Sequence, residues 1–477
     1  MENWRVNMIK SKQSGRWALV SLLLVLLAGC GFLPSQQSNA PAITPLALSP
    51  TATDNPTPTA DPASSTDWTT YHQNTNRTGY VAGTPDPTRL TPAWSKQLDG
   101  AVYAEPLVVG ERVIVATEGD SLYAFDRKTG NKLWHTNVGH PVPQATLPCG
   151  DIDPLGITGT PVYDPATGLV FAVAEITGPA HLLVGVDVAT GQVKVRRSAD
   201  ISSMDAIAYQ QRGALALGNG MVYIAYGGLA GDCSDYRGTV LAARTDGSGS
   251  LLSFQVPTPR EGGIWTPPGP SIDSKGNLYV AVGNGEKTSG SWDHSDSILR
   301  LSPTLKLEDG FAPVHWGSEN ARDADLGSMG PLLLPNGWVY ADGKAGIGYL
   351  LKADHLGGIG GQVALFSQCT AFGGAAAINS QVFLPCLTGL RQITISAGGD
   401  IIPGWQAPTN IQGSPVAGGH TIYDLDTQGV LYALNSTTGA TRASISVGNA
   451  SRFATPTIAD SMIFVGTFTG IVAVNLQ

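Results

Sequence analysis

The sequence predicts an all-β fold made of repeated short strands, and three observations carry that prediction. Gly accounts for 59 of the 477 residues and Pro for 32, while only 14% are charged. Gly in a helix interior costs about 1 kcal/mol, whereas short strands joined by tight turns demand it. The apolar fraction is 42%, enough for a sizeable core and too high for a disordered chain. The third observation is periodicity, since one unit of apolar strands and polar turns recurs through the body of the chain.

The unit is clearest at 106–134, where strand, polar turn, strand, Gly turn and strand end in Asp126, Gly130 and Trp134. Weaker copies begin near Pro161, Ala214, Pro270, Pro331, Ala376, Pro415 and Pro456, spaced by 39 to 61 residues. Their turns recur as Asp187 with Gly191, Arg244 with Gly247 and Asn435 with Gly439. Such spacing suits four short strands with variable loops. Eight starts predict an eight-bladed β-propeller over 67–477, acting as a monomeric ring, with seven blades as the alternative. The unit from Pro456 stops one strand short. The stretch 92–98, which reads like a fourth strand with no preceding three, supplies the missing one and closes the ring without exposed edges.

At the N-terminus, Lys10, Lys12 and Arg16 precede an apolar run at 17–27 and then Leu27-Ala28-Gly29-Cys30. The run is too short to span a bilayer and has signal-peptide dimensions. Its ending resembles a bacterial lipobox, which implies cleavage after residue 29 and lipidation of Cys30. Pro, Ser, Thr and Ala dominate 34–66, a composition that stays extended. The expected organisation is a signal peptide at 1–29, a lipidated Cys with a disordered tether at 30–66, and the propeller at 67–477. The protein is then exported and lipid-anchored to a bacterial membrane, at the cell surface or in the periplasm. The formal charge of −9, with no basic stripe, excludes nucleic acid as a partner.

With Cys30 acylated, four cysteines are left, an even number suited to an oxidising compartment. Three pairings are open. Proximity in sequence favours Cys369–Cys386, and Cys149–Cys233 follows by remainder. There is no Cys-x-x-Cys, Gly-x-Ser-x-Gly, His-Glu-x-x-His or P-loop, so the common zinc, nucleophile and nucleotide motifs are absent. The glycines at 357–361 read as a loop, and Asp424 to Gly429 as a turn.

Ala124-x-Asp126-x-x-x-Gly130-x-x-x-Trp134 resembles the tryptophan-docking motif of quinoprotein, or PQQ-like, propellers. Trp68-x-x-Tyr71 followed by Arg77-x-Gly79 resembles the opening segment of such proteins. The resemblance implies that Gly130 and Trp134 are structural. In PQQ-dependent alcohol dehydrogenases a similar order places a Trp under the quinone, an Asn on calcium, an Asp-x-Asp with the catalytic base, and a cation on the quinone oxygens. The positions here that resemble these are Trp265, Asn284, Asp323 with Asp325, and Lys344. That reading makes Asp323 and Lys344 catalytic, Trp265 and Lys344 cofactor-binding, and Asn284 and Asp325 metal ligands. The residue types suit the chemistry: an aromatic face for a planar cofactor, hard oxygens for Ca²⁺, a carboxylate to take a proton. Two departures stand beside it. Cys233 occupies the place of the family's calcium-binding Glu, four residues before Arg237-Gly238, and the family's adjacent Cys–Cys pair is missing.

Two functions follow as expectations. The first is a membrane-anchored binding or scaffold module for envelope or surface proteins, without an assured cofactor, resembling the lipoprotein propellers of the outer-membrane assembly-factor class. Its contact loops are 149–159 and 285–296, with Trp292 as an aromatic anchor. The alternative is a PQQ- and calcium-dependent alcohol or polyol dehydrogenase.

Overall fold

The computed structural model describes residues 67–408 and 410–477. The signal peptide expected at 1–29 and the lipidated Cys and tether expected at 30–66 lie outside the described residues. Among the described residues, eight separate sheets follow one another, antiparallel except where Tyr80–Val81 and Gly358–Ile359 add short parallel strands. They form blades at 107–137, 162–198, 216–255, 271–312, 332–367, 376–406 and 416–446, and an eighth at 457–476 completed by an N-terminal strand. Every blade starts within two residues of its expected position, and the seven-blade alternative is excluded.

Burial explains the strand chemistry. Most first strands are buried throughout, and Leu107–Val109 and Leu332–Leu334 read as unbroken apolar runs because both their faces are covered. The fourth strands, such as Lys132–Asn137, are mostly exposed and bury Trp134 alone. The eighth blade takes Leu90–Gln97 as its outer strand, antiparallel to Gly470–Leu476. The expected closing strand is therefore present, shifted by a residue or two at its ends.

Tryptophans lock neighbouring blades. Trp94 Nε1 donates to the Arg127 carbonyl at 2.9 Å, Trp134 Nε1 to Val188 at 3.0 Å, and Trp405 Nε1 to Ser436 at 2.9 Å. The three indoles lie on Gly130, Gly191 and Gly439 of the following blade. The Gly and Trp of one motif copy therefore engage different neighbours. The copy ending at Gly439 carries no Trp of its own, yet Trp405 from the sixth blade caps it. Gly191 has φ +74°, and a β-carbon there would stand 2.8 Å from the Trp134 ring. Gly191→Ala is expected to cost about 2–3 kcal/mol, from left-handed backbone strain plus displacement of the indole. Gly220→Ala, at φ +69° but facing open space, should cost only about 1 kcal/mol from backbone strain. Urea midpoints of the two variants measure the difference.

A segment ahead of the first blade lines the central channel and joins the blades to one another. Trp68 exchanges backbone hydrogen bonds with Val108 of the first blade. The carbonyls of Thr69, Thr75, Asn76, Thr78 and Gly79 accept from Tyr163, Ile272, Leu333, Ala377 and Ala417, on the second, fourth, fifth, sixth and seventh blades. The third blade is reached by a side chain: Arg77 Nη2 donates to the carbonyls of Leu215 (3.2 Å) and Pro270 (2.9 Å). Its Nη1 donates to Thr70 Oγ1 at 2.7 Å and to the Tyr71 carbonyl at 3.0 Å. Trp68, Tyr71 and Arg77 are all buried.

Candidate functional site

Blade-to-blade connections and the loops between second and third strands emerge at the same end of the ring. Residues on these two loop types line a cavity of about 580 Å³ at that mouth. Trp265 and Asp323 stand on connections, while Asn284 and Lys344 stand on inter-strand loops. Asp325 lies behind them, fully buried. All five residues singled out in the sequence are thus brought to one place.

Lys344 is the hub of that cluster. Its Nζ lies 2.5 Å from Asp323 Oδ1, 2.8 Å from Asp325 Oδ2 and 5.7 Å from the centre of the Trp265 ring. Its backbone N–H donates to the Asp325 carbonyl at 3.0 Å. That approach needs Gly343, where a β-carbon would stand 2.5 Å from the same carbonyl oxygen. Burial pushes the Asp325 carboxyl up to about 6, and the Lys344 ammonium limits the rise. Burial opposes the charge on Lys344, but Asp325 and Asp323 hold its ammonium above the usual range. The indole of Trp265 and the Asn284 side chain complete this wall.

A calcium ion does not fit these residues. Ca²⁺ takes six to eight oxygen ligands, whereas an ammonium already lies between the two carboxylates. Cys233 is in a disulfide with Cys149, and Cys369 with Cys386. The neighbouring Asp232 carboxylate accepts the Tyr236 hydroxyl at 2.5 Å. Among the described residues, no three His, Cys, Asp or Glu side chains are grouped to hold a metal. Trp292 is outside the cavity, stacked on His294 with Nε1 donating to the Ser295 carbonyl at 2.9 Å.

The opposite wall was not singled out in the sequence. It carries Arg212, Arg452, Phe372 and Phe453. A usable signal was present, because each of these residues precedes a blade start and so falls on a mouth connection.

Behind this wall, Glu118 accepts hydrogen bonds from the Gly156 N–H at 2.6 Å and the Thr158 hydroxyl at 2.8 Å. Burial pushes its carboxyl up to about 8, and the same cause, with Glu118 nearby, raises Asp120 to about 8. The folded state therefore binds these protons more tightly than the unfolded chain does. Their contribution to stability is fully present below the ordinary value of 4.5 for Glu and is lost as pH rises through about 8. Glu118→Gln, which mimics the protonated acid, should flatten the fall in melting temperature between pH 5 and pH 8.

Comparison with known proteins fits this architecture. Residues 91–230 match the family described as outer membrane protein assembly factor BamB. Among solved structures, the quinohemoprotein alcohol dehydrogenase ADHIIG from Pseudomonas putida HK5 superposes with TM-score 0.65 at 14% identity, covering 86% of this chain and 80% of that one. The chain has the eight-bladed propeller fold of this dehydrogenase. A europium-containing methanol dehydrogenase gives TM-score 0.66 at 15% identity, covering 86% of this chain and 91% of its own. BamB from Moraxella catarrhalis gives 0.56 at 14% identity, covering 81% of this chain and 100% of that one. At these identities the likeness is one of fold. No curated protein matches the propeller's sequence.

Proposed function

We propose that the propeller is an extracytoplasmic binding module, anchored through Cys30, whose mouth receives part of an envelope or surface protein. The observation that carries this reading is the position of Lys344. An ammonium seated between Asp323 and Asp325 gives a preformed, salt-bridged wall suited to recognition, and it takes the carboxylates a metal would need. Two disulfides favour an oxidising compartment. The match of 91–230 to an assembly-factor family supports protein binding over turnover.

The deciding experiment is reconstitution of the purified chain with PQQ and Ca²⁺. The binding reading expects no alcohol-dependent dye reduction that requires both additions. Turnover requiring both, abolished by Asp323→Asn, would replace this reading with a PQQ-dependent dehydrogenase. The anchor is tested apart from this: Cys30→Ser should release the protein from membranes, and unchanged partitioning refutes lipidation.

A further inference from the structure

Two guanidinium groups meet at the mouth without a counter-ion. The Arg212 guanidinium lies 4.5 Å from the centre of the Phe453 ring. Arg452 lies 5.0 Å from the same ring and 4.0 Å from that of Phe372. Among the described residues, neither guanidinium has a hydrogen bond or an ion pair, and Arg212 Nε is buried without a partner. Asp151 and Glu118 act on Arg212 only at longer range. Glu118 contributes little at neutral pH, because burial keeps it largely protonated.

Like charges are brought together over one aromatic ring, and with Arg212 Nε cut off from water without a partner, an anion completes the pair favourably. The guanidinium fork matches a carboxylate in two-point geometry. The rest of the cavity defines what carries that carboxylate. Phe372, Phe453 and Trp265 line the same cavity with flat apolar rings, and Asp323 and Asp232, held by Lys344 and Tyr236, add carboxylate oxygens able to accept further hydrogen bonds. A peptide supplies both features, with N–H donors and apolar side chains next to its acidic group.

We infer that Arg212 and Arg452 form a carboxylate-binding site at the channel mouth, which takes the C-terminal carboxylate or an acidic side chain of a partner's peptide segment. This rests on the binding reading above and names the chemistry of the partner. Phe453 holds both guanidiniums in place, and the peptide body lies across the cavity toward Asp232.

The test is calorimetric titration of the whole chain with three probes: a phenylalanine-containing tripeptide with a free C-terminus, the same tripeptide amidated there, and citrate. The free tripeptide should bind saturably, and amidation should weaken binding about tenfold or more, consistent with loss of a charge-assisted two-point contact. Arg452→Gln should weaken it to a similar degree. Its side chain is exposed, so the fold should survive, and an unchanged melting temperature confirms that. Arg212→Lys, which keeps the charge but loses the fork, should also weaken binding. Arg244→Gln, a surface change outside the mouth, should leave it unaltered. Saturable citrate binding that depends on both arginines, without tripeptide binding, would keep the carboxylate site but assign it to free organic acids. Absence of saturable binding by all three probes, or binding indifferent to Arg452→Gln and Arg212→Lys, would overturn the site. Neither failure touches the PQQ and Ca²⁺ assay, so loss of this site and loss of the binding reading are told apart.

Discussion

Arg77→Ala is expected to lower the unfolding free energy by roughly 5 kcal/mol. The side chain makes four hydrogen bonds inside the channel, to Thr70, Tyr71, Leu215 and Pro270. Truncation leaves three buried carbonyls short of a donor, at about 1–3 kcal/mol each, and opens a cavity besides. Burial draws the guanidinium down only to about 10, so it stays charged at neutral pH and its bonds are charge-assisted. Arg77→Lys should recover less than half of the loss, because one ammonium cannot reach both walls that the fork bridges. Urea denaturation at pH 7 measures both variants. A loss under about 1 kcal/mol would show that the blades hold together without this residue.

Lys344→Met should cost about 3 kcal/mol at pH 8 and clearly less at pH 5. Removing the ammonium leaves Asp325 buried with no opposite charge beside it. Its carboxyl already stands at about 6, above the ordinary 3.8, because of burial, and the variant pushes it higher still. A carboxyl raised in the folded state contributes stability below its unfolded value and loses it as pH rises through the folded value. The penalty therefore grows from pH 5 to pH 8. The double variant Lys344→Met with Asp325→Asn should regain most of the loss at pH 8, and equal losses at both pH values would refute the account. The same pair of measurements separates the structural role of Lys344 from any part it takes in ligand binding.

The ring was legible because its determinants are local and repeated. Apolar residues at the blade starts, glycines at the turns and the lone fourth strand read at 92–98 all follow from strand burial and turn geometry. The site was half legible. Trp265, Asn284, Asp323, Asp325 and Lys344 fall in one order along the chain, and that order brought them to a single wall. Arg212 and Arg452 were missed because they are 240 residues apart, and only closure of the ring sets them over one phenylalanine. The ion pairs of Lys344 were equally hidden, since their distances depend on a backbone approach at Gly343 that no spacing reveals. The docking tryptophans teach the same lesson in reverse: Gly130 and Trp134 share a motif but serve two different joints.

The strand at 90–97 has a consequence for the order of assembly. It precedes its partner at 470–476 by the length of all the intervening blades, so its edge waits until they have been made. Contacts of such sequence separation form slowly, and until then two open strand edges are available for intermolecular pairing. The vulnerable interval in this protein's life thus comes before closure, and folding yield should fall with protein concentration far more steeply than native stability suggests.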